Sequence, residues 1–267
     1  MLTSLLTDGG VRLIVRESGP AGGPAAVLVH GWAQSGEAWT YAPQDPALRL
    51  HALDLRGHGE SDTPDDGYRD SATWAGDLRT VLDHTGPAVL VGWSYGGLVI
   101  ADYLRFHGTS RVRGLVLVDA ITELGRDRPG GATGRLTREA LPDALSEDPG
   151  VAVPAMHRFF TQLAPGLPGG LNQRLLGTAL RVSPRVREEL FRRDLDNADV
   201  LRAFDRPALV VHGTRDEVVD PSAGEYAAAT IPGAELRRYE DVGHMPFLER
   251  PERFAAELAA FVTEVCR

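Results

Sequence analysis

Short apolar runs recur along the chain at residues 11–15, 26–30, 49–53, 88–92, 114–118, 208–212 and 235–239. They are too short for helices. The middle ones are continuous in Val and Leu, the pattern of strands buried on both faces of a parallel sheet. Helical stretches lie between them at 71–83, opening on Ser71 as a candidate cap, and at 98–106 after a Gly-rich turn. Two more, 221–230 and 251–265, open on a proline at a helix-start position. In the last, Phe254, Leu258, Phe261 and Val262 fall at helical spacing. Strands alternating with helices predict an α/β fold with a mostly parallel central sheet.

The alternation breaks between residues 122 and 205. The segment begins rich in Gly, Pro and Arg (126–134) and then turns helical at 153–163, 171–180 and 185–195. An insertion this long between two strands of one sheet predicts a domain or lid rather than a loop. Within it, Met156, Phe159, Phe160 and Leu163 recur at helical spacing. They form either an apolar wall or the seam that packs the insertion onto the sheet.

Composition narrows the function. With 43% hydrophobic and 24% charged residues over 267 positions, the chain is that of an ordinary globular protein. A formal charge of -9 argues against nucleic-acid partners and against docking on an anionic membrane. The single cysteine, Cys266, allows no intramolecular disulfide and no Cys-based metal site. The first ten residues lack the basic start of a signal peptide, and no run approaches a membrane span. The expectation is a soluble, cytoplasmic protein.

The candidate chemistry centres on Gly92-Trp93-Ser94-Tyr95-Gly96, where a buried strand runs into a tight turn and then a helix. A serine there stands on a strained turn, and flanking glycines let neighbouring segments pass close to it. The helix start beyond it offers free N–H groups to a developing oxyanion. Serine needs a base, usually histidine. Of eight histidines, His244 lies in a loop after the last strand and before the last helix. The acid is expected between Ser94 and His244 in chain order, and Asp216 stands just past a strand end. Its rivals are Glu217, Asp220 and Asp119. Upstream, the His30-Gly31-Trp32 turn closes a strand, so the backbone N–H groups of Trp32 and Tyr95 are the candidate oxyanion hole.

These segments together carry a resemblance. HGW at 30–32, DLRGHGESD at 54–62, GWSYGG at 92–97, HGTRDEVVD at 212–220 and GHMPFLERPERF at 243–254 follow the order and spacing of the α/β-hydrolase superfamily, which the chain resembles along nearly its whole length. HGW and RFHGTSRVRGLVLVDA (105–120) are similar to the cofactor-free haloperoxidase and aryl-esterase branch. That branch commonly has Pro after HGW; Ala33 stands here, which weakens the expectation of peroxide-dependent activity.

The resemblance implies an α/β-hydrolase fold whose core is 1–121 and 206–267. It implies a helical cap at 122–205, inserted after the sixth strand and covering the active site. It makes His58 part of a structural turn rather than a second base. A serine nucleophile excludes the dehalogenase and epoxide-hydrolase branches, which use Asp at that turn. The activity implied is hydrolysis of a carboxylic ester or lactone of a small to medium hydrophobic molecule through an acyl-enzyme on Ser94, with no metal or organic cofactor. C–C bond hydrolysis, or acyl transfer and thioester cleavage with the same triad, are alternatives. A non-catalytic ligand-binding protein on the same fold is a further one. Candidate pocket residues are Trp93, Met156, Phe159, Phe160, Leu163, Met245 and Phe247.

Overall fold

The computed structural model describes all residues 1–267. Eight strands form one sheet: β1 (Leu2–Leu6), β2 (Arg12–Ser18), β3 (Ala25–Val29), β4 (Arg49–Asp54), β5 (Ala88–Trp93), β6 (Val112–Val118), β7 (Ala208–Gly213) and β8 (Glu235–Tyr239). Their spatial order is β1-β2-β4-β3-β5-β6-β7-β8. The pairs β1–β2 and β2–β4 are antiparallel, and every other pair is parallel. The continuous Val/Leu runs are the central strands; β3, β5 and β7 are buried at every position. The helices outside the insertion are α1 (Glu37–Thr40), α2 (Ser71–Thr85), α3 (Gly96–His107), α9 (Pro221–Thr230), α10 (Pro246–Glu249) and α11 (Pro251–Val265).

Residues between β6 and β7 carry α4 (Arg135–Ala144), α5 (Pro149–Gln162), α6 (Gly169–Arg181), α7 (Pro184–Glu189) and α8 (Ala198–Arg202). Four local expectations change. Strand β1 was not predicted, because an edge strand alternates between exposed and half-buried positions and shows no apolar run. Helix α2 is capped by Asp70, whose carboxylate accepts from the N–H groups of Ala72 and Thr73, and not by Ser71. No helix was expected over α4, which carries Pro142 in its last turn. The helix predicted over 185–195 stops at Glu189. Beyond it, Leu195 bridges Leu124 in antiparallel fashion and Arg193 turns its side chain into the core.

Two buried histidines brace the carboxyl end of the sheet. The His30 Nδ1 lies 2.8 Å from the Gly31 carbonyl, and its Nε2 accepts the Leu55 N–H at 3.0 Å. That pairing requires the neutral ring with its proton on Nδ1. Burial pushes His30 down to about 4 and His58 to about 3. In the unfolded chain both titrate near ~6.5. Below that pH these two rings bind more protons in the unfolded state than in the folded one, so their contribution to stability falls as pH drops from about 6.5 and levels off below about 3. The midpoint of urea unfolding is expected to decrease over this window, and the decrease should shrink in His58→Asn. A flat midpoint between pH 7 and 4 would contradict the assignment.

Candidate active site

Strand β5 ends at Trp93, and Ser94 takes a left-handed backbone with φ 54°. For a residue with a Cβ this is strained, and the surroundings impose it. The Ser94 N–H donates to the Val118 carbonyl at 3.0 Å, and the Ser94 carbonyl accepts from Gly97 and Ile121. A Cβ at Gly96 would stand 2.4 Å from the Val29 carbonyl oxygen, and one at Gly92 2.9 Å from the Gly96 carbonyl carbon. Only glycine lets β3, the turn and α3 approach this closely. Ser94 is left at the floor of a cavity, with 7% of its surface exposed.

The loop after β3 arches over the same serine. The Gln34 N–H donates to the Gly31 carbonyl at 3.2 Å, closing a turn in which Ala33 has φ 55°. Proline, locked near ~-65°, does not fit there. The departure from HGW-Pro therefore belongs to a particular backbone shape. The N–H groups of Trp32 and Tyr95 make no hydrogen bond within the chain. Tyr95 precedes the first residue of α3, where N–H groups lack helical partners.

His244 and Asp216 meet from two other loops. The His244 Nδ1 lies 2.7 Å from Asp216 Oδ2. Asp216 is anchored on its other oxygen by the N–H groups of Val218 and Val219 at 2.8 and 3.1 Å. His212 Nε2 approaches Oδ2 at 3.3 Å. Burial alone would raise Asp216, but the His244 and His212 rings outweigh it and hold the carboxyl down at about 2. It stays ionised through the neutral range and suits the imidazolium form of His244. The loop of His244 is clamped by Glu249, which accepts from the N–H groups of Gly243 and Met245.

None of the three rival acids pairs with His244, although Asp119 shares a buried cluster with Asp216 and His212. Glu217 is exposed and paired with Arg135. Asp220 caps α9 through Ser222 N–H. Asp119 accepts from Gly213 N–H at 2.8 Å and lies 3.8 Å from His212, not beside His244. Burial lifts Asp119 well above the usual carboxylate range, and its second oxygen has no partner.

The cavity opens among Trp32, Trp93, Ser94, Tyr95, Phe159, Phe160, Leu163, Phe191 and His244, with Gly31, Ile121, Thr133, Thr137, Leu141, Val218 and Val219 completing the wall. Four expected pocket residues, Trp93, Phe159, Phe160 and Leu163, line it. Met156, Met245 and Phe247 do not: all three are fully buried in the core, and Phe247 sits against Trp39 with ring centres 4.5 Å apart. Helical spacing shows which residues are inward, not how deep each sits. Sequence reading also missed Phe191 and the Val218–Val219 pair. The pair's apolar character directly after Asp216 was the available signal.

The inserted helices touch every one of these loops through their main chain. Trp32 Nε1 donates to the Arg187 carbonyl at 3.1 Å and Gln34 Nε2 to the Leu175 carbonyl at 3.0 Å. The Tyr95 hydroxyl donates to the Leu190 carbonyl at 2.8 Å, and the His244 N–H to the Leu163 carbonyl at 2.8 Å. Beside Tyr95, Arg193 forms a buried ion pair with Asp102 of α3 at 2.6 Å and also donates to the Tyr95 hydroxyl at 3.1 Å.

Comparison with known proteins places this arrangement. A family model described as "Alpha/beta hydrolase family" matches residues 26–257. The solved structure of an esterase from Rhodococcus sp. ECU1013 is 44% identical, covers 99% of each chain and superposes with a TM-score of 0.93. The non-heme chloroperoxidase CPO-A1 of Kitasatospora aureofaciens is 33% identical, over 89% of this chain and 90% of its own. A pimeloyl-[acyl-carrier protein] methyl ester esterase of Stenotrophomonas maltophilia is 31% identical, over 90% of this chain and 93% of its own.

Proposed function

Since the chain belongs to the alpha/beta hydrolase family, we propose that it is a serine hydrolase cleaving a carboxylic ester or lactone of a small to medium hydrophobic substrate through an acyl-enzyme on Ser94. The observation that carries this reading is the His244–Asp216 pair at 2.7 Å, with His244 and the strained Ser94 lining one apolar cavity. Similarity to esterases on both the sequence and the structural side supports it.

In this reading the steps are those of acyl transfer through a Ser-His-Asp triad. His244 Nε2 takes the Ser94 proton as Oγ attacks the carbonyl carbon. Negative charge develops on the carbonyl oxygen, and the free N–H groups of Trp32 and Tyr95 are disposed to bind it there. His244 passes its proton to the departing alcohol oxygen as the ester C–O bond breaks. Water then gives a proton to His244 while its oxygen attacks the acyl carbon, and collapse returns the proton to Ser94 and frees the acid. Asp216 fixes the Nδ1–H tautomer and stabilises the imidazolium at each stage.

In this reading, residues 122–205 act as a cap that shapes the acyl site. The wall is almost wholly hydrocarbon and aromatic, which suits an apolar acyl or aryl group. An organophosphonate is expected to add one adduct mass to the protein, located on Ser94. Complete inertness would favour a binding protein. A panel of activated esters, lactones, thioesters and a vinylogous diketone separates the ester reading from its chemical alternatives. Phe160→Ala removes a wall residue, so it is expected to move the preferred acyl length upward by at least two carbons. An unchanged profile would place substrate choice elsewhere.

A further inference from the structure

A second cluster of ligating side chains lies at the opposite end of the sheet. Glu17 of β2 and His51 of β4 are direct cross-strand partners in the antiparallel pair. His84, near the end of α2, reaches down onto them: its Nε2 lies 2.8 Å from Glu17 Oε1, and His51 Nδ1 lies 3.8 Å from the same oxygen. The three ligand atoms all fall within 4.8 Å of one another. His51 is the third residue of its strand, at the amino end of the parallel set, whereas Ser94 follows the carboxyl end of β5. The two clusters are therefore separate sites.

His51 is the anomalous member. Its side chain is only 2% exposed, yet neither ring nitrogen has a hydrogen-bond partner. Buried polar atoms are bonded in nearly all folded proteins, and an orphaned one commonly marks the place of a water or an ion. A neutral imidazole keeps one nitrogen lone pair, the form that binds metals. Glu17 supplies a negative charge, and 38% exposure of the His84 side chain leaves an entry path. The guanidinium of Arg49 is engaged with the Thr85 carbonyl at 2.9 Å.

We propose that Glu17, His51 and His84 form a binding site for a divalent transition-metal ion of the zinc type, joining β2, β4 and α2. Zinc bonds nitrogen and oxygen at ~2.0–2.2 Å, so tetrahedral ligand atoms stand about 3.3–3.6 Å apart. The two pair distances to Glu17, 2.8 and 3.8 Å, bracket that value. Two imidazoles and one carboxylate leave the fourth position to solvent. The ion would tie the antiparallel edge of the sheet to the helix above it.

The test uses full-length protein without a histidine tag, stripped with EDTA and then dialysed free of it. Titration with zinc chloride in a calorimeter is expected to show one ion per chain, and excess zinc to raise the thermal midpoint by several degrees. His84→Asn and Glu17→Gln are near-isosteric changes at an exposed and a partly buried side chain and should fold. Each is expected to weaken zinc binding at least tenfold and to abolish the thermal shift. Absence of binding to the wild type overturns the proposal. So does zinc binding by both variants at wild-type affinity, which would move the ion to another cluster.

Discussion

Ser94→Ala is expected to fold normally and to hydrolyse an activated aryl ester about 10⁴–10⁶-fold more slowly than the wild type, a loss of roughly 5–8 kcal/mol of transition-state stabilisation. The magnitude follows from what remains. Without Oγ there is no acyl-enzyme, and only the Trp32 and Tyr95 N–H groups and the cavity act on the carbonyl. In serine hydrolases generally such a remnant keeps ~10³–10⁴-fold catalysis over water. The fold should be indifferent, because alanine is as strained as serine at φ 54° and the neighbours that impose that conformation stay in place. Near-identical circular dichroism and thermal midpoints would separate lost chemistry from lost structure. A rate within tenfold of wild type, in protein purified free of host esterases, would remove Ser94 from the mechanism.

Asp102→Ala is expected to cost about 3–5 kcal/mol of stability, the usual penalty for stranding one partner of a buried ion pair. For a chain of this size that corresponds to a fall of roughly 6–20 °C in thermal midpoint. The Arg193 and Asp102 side chains are each 1% exposed, so water does not replace the lost partner. The Arg193 guanidinium would keep only the Tyr95 and Ser71 hydroxyls. Replacing both members, as Asp102→Leu with Arg193→Met, should recover much of the loss, because two apolar side chains need no compensation. Thermal and urea unfolding of the two variants checks this. Equal destabilisation of both would show that shape rather than charge governs the contact. Because Arg193 also holds the hydroxyl of Tyr95, whose N–H faces the proposed oxyanion, kcat measured well below the melting range is expected to drop more than KM rises.

The parts legible in the sequence share a physical origin. β3, β5, β6 and β7 are apolar on both faces, and that demand is written in consecutive residues, so their runs stood out. The Gly92–Gly96 turn was legible because close approach of three backbones tolerates no side chain there. Asp216 was singled out on its position past β7, and the structure adds what position alone lacks: the two N–H groups of Val218 and Val219 that aim it at His244. What was hidden depends on distant partners. β1 is a strand because its backbone pairs with residues Arg12 to Arg16 of β2, not because of its own pattern. Asp102 reads as an ordinary charged residue inside a helix until Arg193, 91 residues away, comes to meet it. Met156 and Phe159 share one helical spacing, yet only the second reaches the cavity.

The manner in which the inserted helices are seated has an evolutionary consequence. Trp32, Gln34, Tyr95 and His244 are held by the carbonyls of Arg187, Leu175, Leu190 and Leu163, and every residue type carries a carbonyl. These four hydrogen bonds do not depend on which side chain stands at each position, although Leu163, Leu175 and Leu190 are themselves packed in the core. A lineage can thus exchange wall residues of the proposed acyl site, such as Phe159 and Phe160, while the main-chain hydrogen bonds that seat the segment on the loops of Trp32, Tyr95 and His244 are kept.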